Sequence, residues 1–206
     1  MTQVVSPSAT NSITSGQIGK IQELLGAALR KSGLQSEPTQ SVIEQQGDAL
    51  VAEMVATVRK RVEAVSSMIV RHVKVNRNRT PQQVLDATGR KQYTDSKVVK
   101  AMPKGEGDET DVHFFKLGRY VSDADLEKEY ELRGLKPADP YSLAAVNEAD
   151  PAFADEYPNG THWKDASGNW CYAVFNQWSG GERGVSVSRD VGNDWDDYWW
   201  FAGLRK

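Results

Sequence analysis

The run Asn169-Trp170-Cys171-Tyr172-Ala173-Val174-Phe175-Asn176-Gln177-Trp178 decides the fold. Successive side chains of an extended chain point to opposite faces, so Trp170, Tyr172 and Val174 share one face and Cys171, Ala173 and Phe175 the other. Both sets are apolar, which predicts a strand covered on two sides, at the centre of a sheet. The flanks supply its partners. Asp165-Ala166-Ser167-Gly168-Asn169 reads as a hairpin turn before it and Ser179-Gly180-Gly181 as a turn after it. Val185 and Val187 then alternate with Ser186 and Ser188, as in a strand with one wet face, and a loop through Asn193-Asp194 leads to a last strand from Tyr198 to Leu204. From Thr161 onward the chain is therefore expected to form an antiparallel β-meander. All six tryptophans, Trp163, Trp170, Trp178, Trp195, Trp199 and Trp200, fall in these last 44 residues. Rings in that number predict a hydrophobic core, with Trp178 and Trp195, beside turns, as the expected surface exceptions.

Upstream the period changes from two to three and four. Residues 1–16 are rich in Ser, Thr and small side chains without periodicity, and read as a flexible tail. Ile18, Ile21, Leu24, Leu25 and Leu29 recur at helical spacing up to a stop at Ser32-Gly33. Pro38 opens a longer helix whose stripe includes Val42, Ile43, Leu50, Met54, Val58, Val62, Val65 and Ile69. Val51 and Val55 widen that stripe beyond a strict coiled-coil seam, and the short first helix covers only part of it. Near Met68 the β-branched run Ile69 to Val75 marks a strand. Thr80-Pro81 opens a helix that Gly89 ends, Asp95 caps a short turn, Val112 to Val121 reads as a strand, and Ser122 caps a helix through Leu132. Asp139-Pro140 and Asp150-Pro151 each predict an N-cap followed by proline in the first turn. The expectation is an α+β protein: a tail over 1–16, a two-helix arm over 17–75, and a mixed domain over 76–206 that ends in the tryptophan-rich sheet.

Composition bounds the function. The chain has 206 residues, 39% of them hydrophobic and 26% charged, which suits a globular protein. Its one cysteine, Cys171, excludes an internal disulfide and fits a reducing compartment. No run approaches the ~20 apolar residues of a membrane span, and the start lacks the order of a secretory signal, so a cytoplasmic protein without membrane contact is expected. The net charge of −3 conceals segments of −2 (residues 1–58), +9 (59–104) and −10 (105–206). Such a chain either pairs its basic segment with its own acidic half or offers that segment to an anionic partner.

The stretch from Arg71 to the C-terminus resembles a family of small uncharacterised (hypothetical) bacterial proteins of unknown function. Thr80-Pro81 through Ala87-Thr88-Gly89-Arg90, Arg133 to Leu143, Asp150-Pro151-Ala152-Phe153-Ala154-Asp155, Gly160 to Asp165 and Trp199 to Lys206 carry the likeness. It implies no activity.

Candidate chemistry is sparse. His162 and Cys171 with Asp155, Glu156 and Asp165 contain the elements of a Cys-His-Asp site, but a cysteine in mid-strand among aromatic residues is ordinarily an inert thiol. His72, His113 and His162 are too scattered for a metal site. Asp190, Asn193, Asp194, Asp196 and Asp197 match no calcium-loop spacing, and Gly180-Gly181 lacks the lysine of a phosphate loop. No catalytic, metal-binding or cofactor residue is expected. The reading is a non-catalytic interaction or assembly protein that associates with itself or a protein partner through residues 42–69, chiefly Leu50, Met54, Val58, Val62, Val65 and Ile69. Two alternatives stand beside it. One is nucleic-acid binding through Arg59, Lys60, Arg61, Arg71, Lys74, Arg77, Arg79, Arg90 and Lys91. The other is a ligand-binding or hydrolytic module in the C-terminal sheet.

Overall fold

The computed structural model describes residues 13–190, 192 and 194–206. Most of the expected tail, residues 1–12, lies outside the described residues. The chain divides into two compact units, Met1–Thr57 and Val58–Lys206.

The tail ends earlier than its composition suggests, because Thr14 is already a helix cap. Its Oγ1 accepts from Gln17 N at 3.2 Å and the Gln17 side chain accepts from Thr14 N at 2.9 Å, a reciprocal box that opens α1 (Ser15–Lys31). Gly33, at φ 71°, takes the left-handed conformation just past its end. α2 (Ser36–Ser66) holds 31 residues and stops at the β-branched run.

The second unit is built on one eight-stranded mixed sheet. β1 (Ile69–Lys74) is its edge strand, antiparallel to β3 (Glu109–Lys116). Ile69 and the rest of residues 69–74 therefore belong to the sheet, which moves the expected 75/76 domain boundary upstream and takes Ile69 off the helical stripe. β5 (Asn159–Lys164), β6 (Trp170–Gln177) and β7 (Arg183–Arg189) form the meander in sequence order. β8 (Trp200–Arg205) leaves it, inserting between β3, to which it is antiparallel, and β5, to which it is parallel. β2 (Lys91–Thr94) closes the far edge parallel to β7, and β4 (Leu135–Pro137) pairs with β8.

Helices cover both faces, so β6 is buried as its double apolar pattern requires. On one face α3 (Pro81–Ala87), α4 (Ser96–Lys100), α6 (Pro140–Ala149) and α7 (Phe153–Glu156) enclose a core in which Cys171, Ala173 and Phe175 meet Phe114, Leu143 and Val187. On the other, α5 (Asp123–Leu132) packs Leu126 and Tyr130 against Phe115, Val174, Trp199 and Phe201. The α5 and α6 starts are capped as expected, by Ser122 onto Asp125 N and by Asp139 onto Ser142 N. Asp150 is not an N-cap. It ends α6, and its carbonyl accepts from Phe153 N in a tight turn.

Candidate functional site

Among the described residues the arm is the least buried part. α1 has no buried residue and α2 only Ala64. Val51, Val55, Val62 and Val65 are 58%, 52%, 58% and 41% exposed, and Leu50 is exposed beside them. With Val58, half-buried, these valines step by four and three residues along α2, the spacing that keeps one seam toward a partner helix. Met54 is half-buried.

The basic segment does not form one free face. Arg77 is held by Asp139, at 2.5 Å, and by Ser142 Oγ and the carbonyls of Lys104, Glu106 and Gly107. Arg79 forks onto Glu148 at 2.5 and 3.0 Å, and Lys91 meets Glu182 at 3.0 Å. Arg90 is buried. Its guanidinium donates to the carbonyls of Asn176 and Pro151 and lies over the Phe175 ring. Arg71 rests over the Phe153 ring, and Arg61 donates to the Leu132 carbonyl. Arg59, Lys60 and Lys74 are exposed. The acidic half thus takes up Arg77 and Arg79.

The buried polar centre is His162 with Asp123 and Glu127. His162 Nδ1 lies 2.5 Å from Asp123 Oδ1, and Nε2 lies 2.8 Å from Glu127 Oε1, a charge contact without the alignment of a hydrogen bond. Burial by itself would lower the imidazole pKa, but the two carboxylates reverse this and hold it above the ordinary histidine value. Asp123, although burial opposes it, is held below the usual carboxylate range by His162 and by the Trp195 indole N–H at 2.9 Å. Glu127 is lowered by its contact with His162. Trp170 stacks on the imidazole, ring centroids 4.6 Å apart at 10°. The result is a histidine clamped between two carboxylates under an indole, surroundings that favour its protonated form. A hollow of about 670 Å³ lies outside it, lined by Glu127, Lys164 and Trp170 among others, but Nε2 itself is buried.

Sheet register separates the other parts of a nucleophilic site. His162 pairs with Tyr172, and Cys171 with Trp163, so His162 and Cys171 project from opposite faces. Burial also pushes the Cys171 thiol pKa up, away from the thiolate that a nucleophile needs. Asp155 and Asp165 are bound elsewhere, by Arg183 at 2.6 Å and Arg189 at 2.8 Å. Among the described residues no three His, Cys, Asp or Glu side chains converge to hold a metal ion.

Protein-family models, curated proteins and solved structures all fail to match this chain. Function has to be argued from the residues themselves. Nothing next to His162 in sequence names its partners, but Asp123 and Glu127, four apart on one helix and interleaved with the buried Leu126 and Tyr130, form a carboxylate pair on the face toward the sheet. No described helix is long and apolar enough to cross a membrane.

Proposed function

We propose that this is a non-catalytic assembly protein whose helical arm associates with the arm of further copies of the chain, while the sheet domain is the rigid body that the assembly displays. The observation that carries the reading is the exposed valine row of α2, Val51, Val55, Val62 and Val65. In proteins most helical stability comes from packing an apolar face. A row of β-branched residues at four-three spacing fits a copy of itself, and β-branched side chains at both seam positions favour more than two strands. The second flank, Leu50 and Met54, suits the wider seam of such a bundle.

Sedimentation of the full chain tests the reading. A mass above the monomer is expected, falling to the monomer in Val55→Glu/Val62→Glu, where a charge enters the seam. A strict monomer at every concentration, with the variant no different, overturns it.

A further inference from the structure

On the face of β6 opposite Cys171, alternation brings Val174 and Asn176 to the floor of a cleft of about 250 Å³. Trp178, just past the strand, stands at one side, and the segment before β8 supplies Asp190, Asp194, Trp195 and Tyr198 at the other. The volume lies below the ~300–1,000 Å³ of sites for drug-sized ligands, so the occupant is about one ring in size.

Three features describe that occupant. Flat apolar surface comes first: Trp178 and Tyr198, on the two sides of the cleft, are 44% and 43% exposed. Second, the floor is polar as well as apolar, with Asn176, only 8% exposed, beside Val174. Third, the charged groups are acidic. Arg189, among the described residues the one cation on the wall, is bound to Asp165 at 2.8 Å, whereas Asp190 and Asp194 accompany Asp196 and Asp197 in the same segment. Burial, with Asp196 and Asp197 adding to it, pushes the Tyr198 hydroxyl up to about 12, so it remains a donor.

We infer that the cleft binds a single sugar ring of a glycan, the apolar C–H face of the ring on Trp178 and Tyr198 and its hydroxyls on Asp190 and Asp194. A neutral polyol brings O–H donors to these acceptors and a C–H face to the indole. A phosphate-bearing ligand would meet carboxylates with, among the described residues, no unpaired cation on the wall, and a quaternary ammonium ion would bring no hydrogen-bond donor to either carboxylate. The inference is independent of the arm, since every residue it uses lies in the second unit.

Calorimetric titration of the full chain with methyl glycosides of glucose, galactose, mannose and N-acetylglucosamine tests it, with choline chloride and inorganic phosphate in parallel. Saturable heat is expected with at least one glycoside, weakened about tenfold or more, ~1.4 kcal/mol, in Trp178→Ala and in Asp194→Asn. Both side chains are exposed at the cleft, so the unfolding midpoint should stay near that of the native chain and shows that the loss is local. Heat with no glycoside overturns the proposal. So does glycoside binding that both variants leave unchanged, and so does binding of choline or phosphate in place of the sugars.

Discussion

His162 on β5 and Asp123 at the start of α5 share a 2.5 Å contact between Nδ1 and Oδ1, and the same carboxylate oxygen accepts the Trp195 indole N–H at 2.9 Å. One atom of Asp123 thus joins the helix, the central sheet and the segment before β8. The wall of the aromatic cleft and the buried histidine are held by a common carboxylate.

Stability should depend on pH through this cluster, with a sign that follows from the shifts. His162 is raised in the folded protein, so its contribution is complete below the unfolded value of about 6.5 and is lost as pH climbs through the folded value. Asp123 and Glu127 are lowered, so theirs is complete above about 4.3 and is lost as pH falls through their folded values. His113 works against His162, because burial lowers it and stability then falls as pH drops below its unfolded value. The difference in thermal midpoint between the native chain and His162→Gln isolates the cluster. It should be largest between about pH 4.3 and 6.5 and shrink at higher pH; a difference that is constant from acid to alkali would falsify the assignment.

Arg90 reads in the sequence as one member of a basic run and acts in the structure as a core residue. Its guanidinium serves the Asn176 carbonyl at 3.1 Å and the Pro151 carbonyl at 2.8 Å, and burial depresses its pKa. Lysine cannot reach two carbonyls from one planar fork. Arg90→Lys should therefore destabilise the domain by about 2 kcal/mol, with each orphaned carbonyl contributing ~1 kcal/mol or more, while any affinity of the chain for DNA stays unchanged. Urea unfolding monitored by circular dichroism reads the first, and a low-salt titration the second.

Asp139 carries two duties that substitution can separate. It caps α6, Oδ1 accepting from Ser142 N at 2.9 Å, and it neutralises Arg77 at 2.5 Å. Asparagine caps as well as aspartate but carries no charge. Asp139→Ala should cost about 3–5 kcal/mol, since it leaves the Arg77 charge largely buried and removes the cap as well. Asp139→Asn should cost less by the ~1 kcal/mol of the cap. Equal losses in the two variants would mean that the cap contributes nothing.

Much of this architecture is legible in the chain because it is local. Ser122 and Asp139 announce their helices by a side chain three residues from the amide it caps, and the alternation of β6 places it at the centre of the sheet. Strand order is different. β8 carries no mark of its insertion between β3 and β5, since alternation specifies a face and not a neighbour. Side-chain pairing over long separations is equally silent: the nearest acids to Arg77 and Arg79 in sequence are not Asp139 and Glu148, and nothing in a run of arginines tells a paired one from a free one. Asp150-Pro151 misleads for a related reason, because the turn that follows α6 uses the backbone carbonyl of Asp150 and has no need of its carboxylate. Trp178 stays at the surface as its turn position suggests, whereas Trp195 is drawn inward by a partner, Asp123, that lies 72 residues away.

Two glycines test how the aromatic rings are seated. A Cβ on Gly160 of β5 would come within 2.8 Å of Val174 Cγ1 and 3.0 Å of Trp195 Cζ3, both inside the packed face of the sheet. A Cβ on Gly184 of β7 would press on Trp178, reaching 3.0 Å from its Cδ1, but that ring is exposed and can swing outward. Gly160→Ala should therefore cost about 1–3 kcal/mol, the usual cost of overpacking, and should disturb the Trp195 contact with Asp123, visible as a changed near-ultraviolet circular dichroism spectrum. Gly184→Ala should leave the unfolding midpoint almost in place while red-shifting the tryptophan emission, because Trp178 moves into water. If both variants unfold alike, the two rings are equally free and the packed wall assigned to Trp195 does not exist.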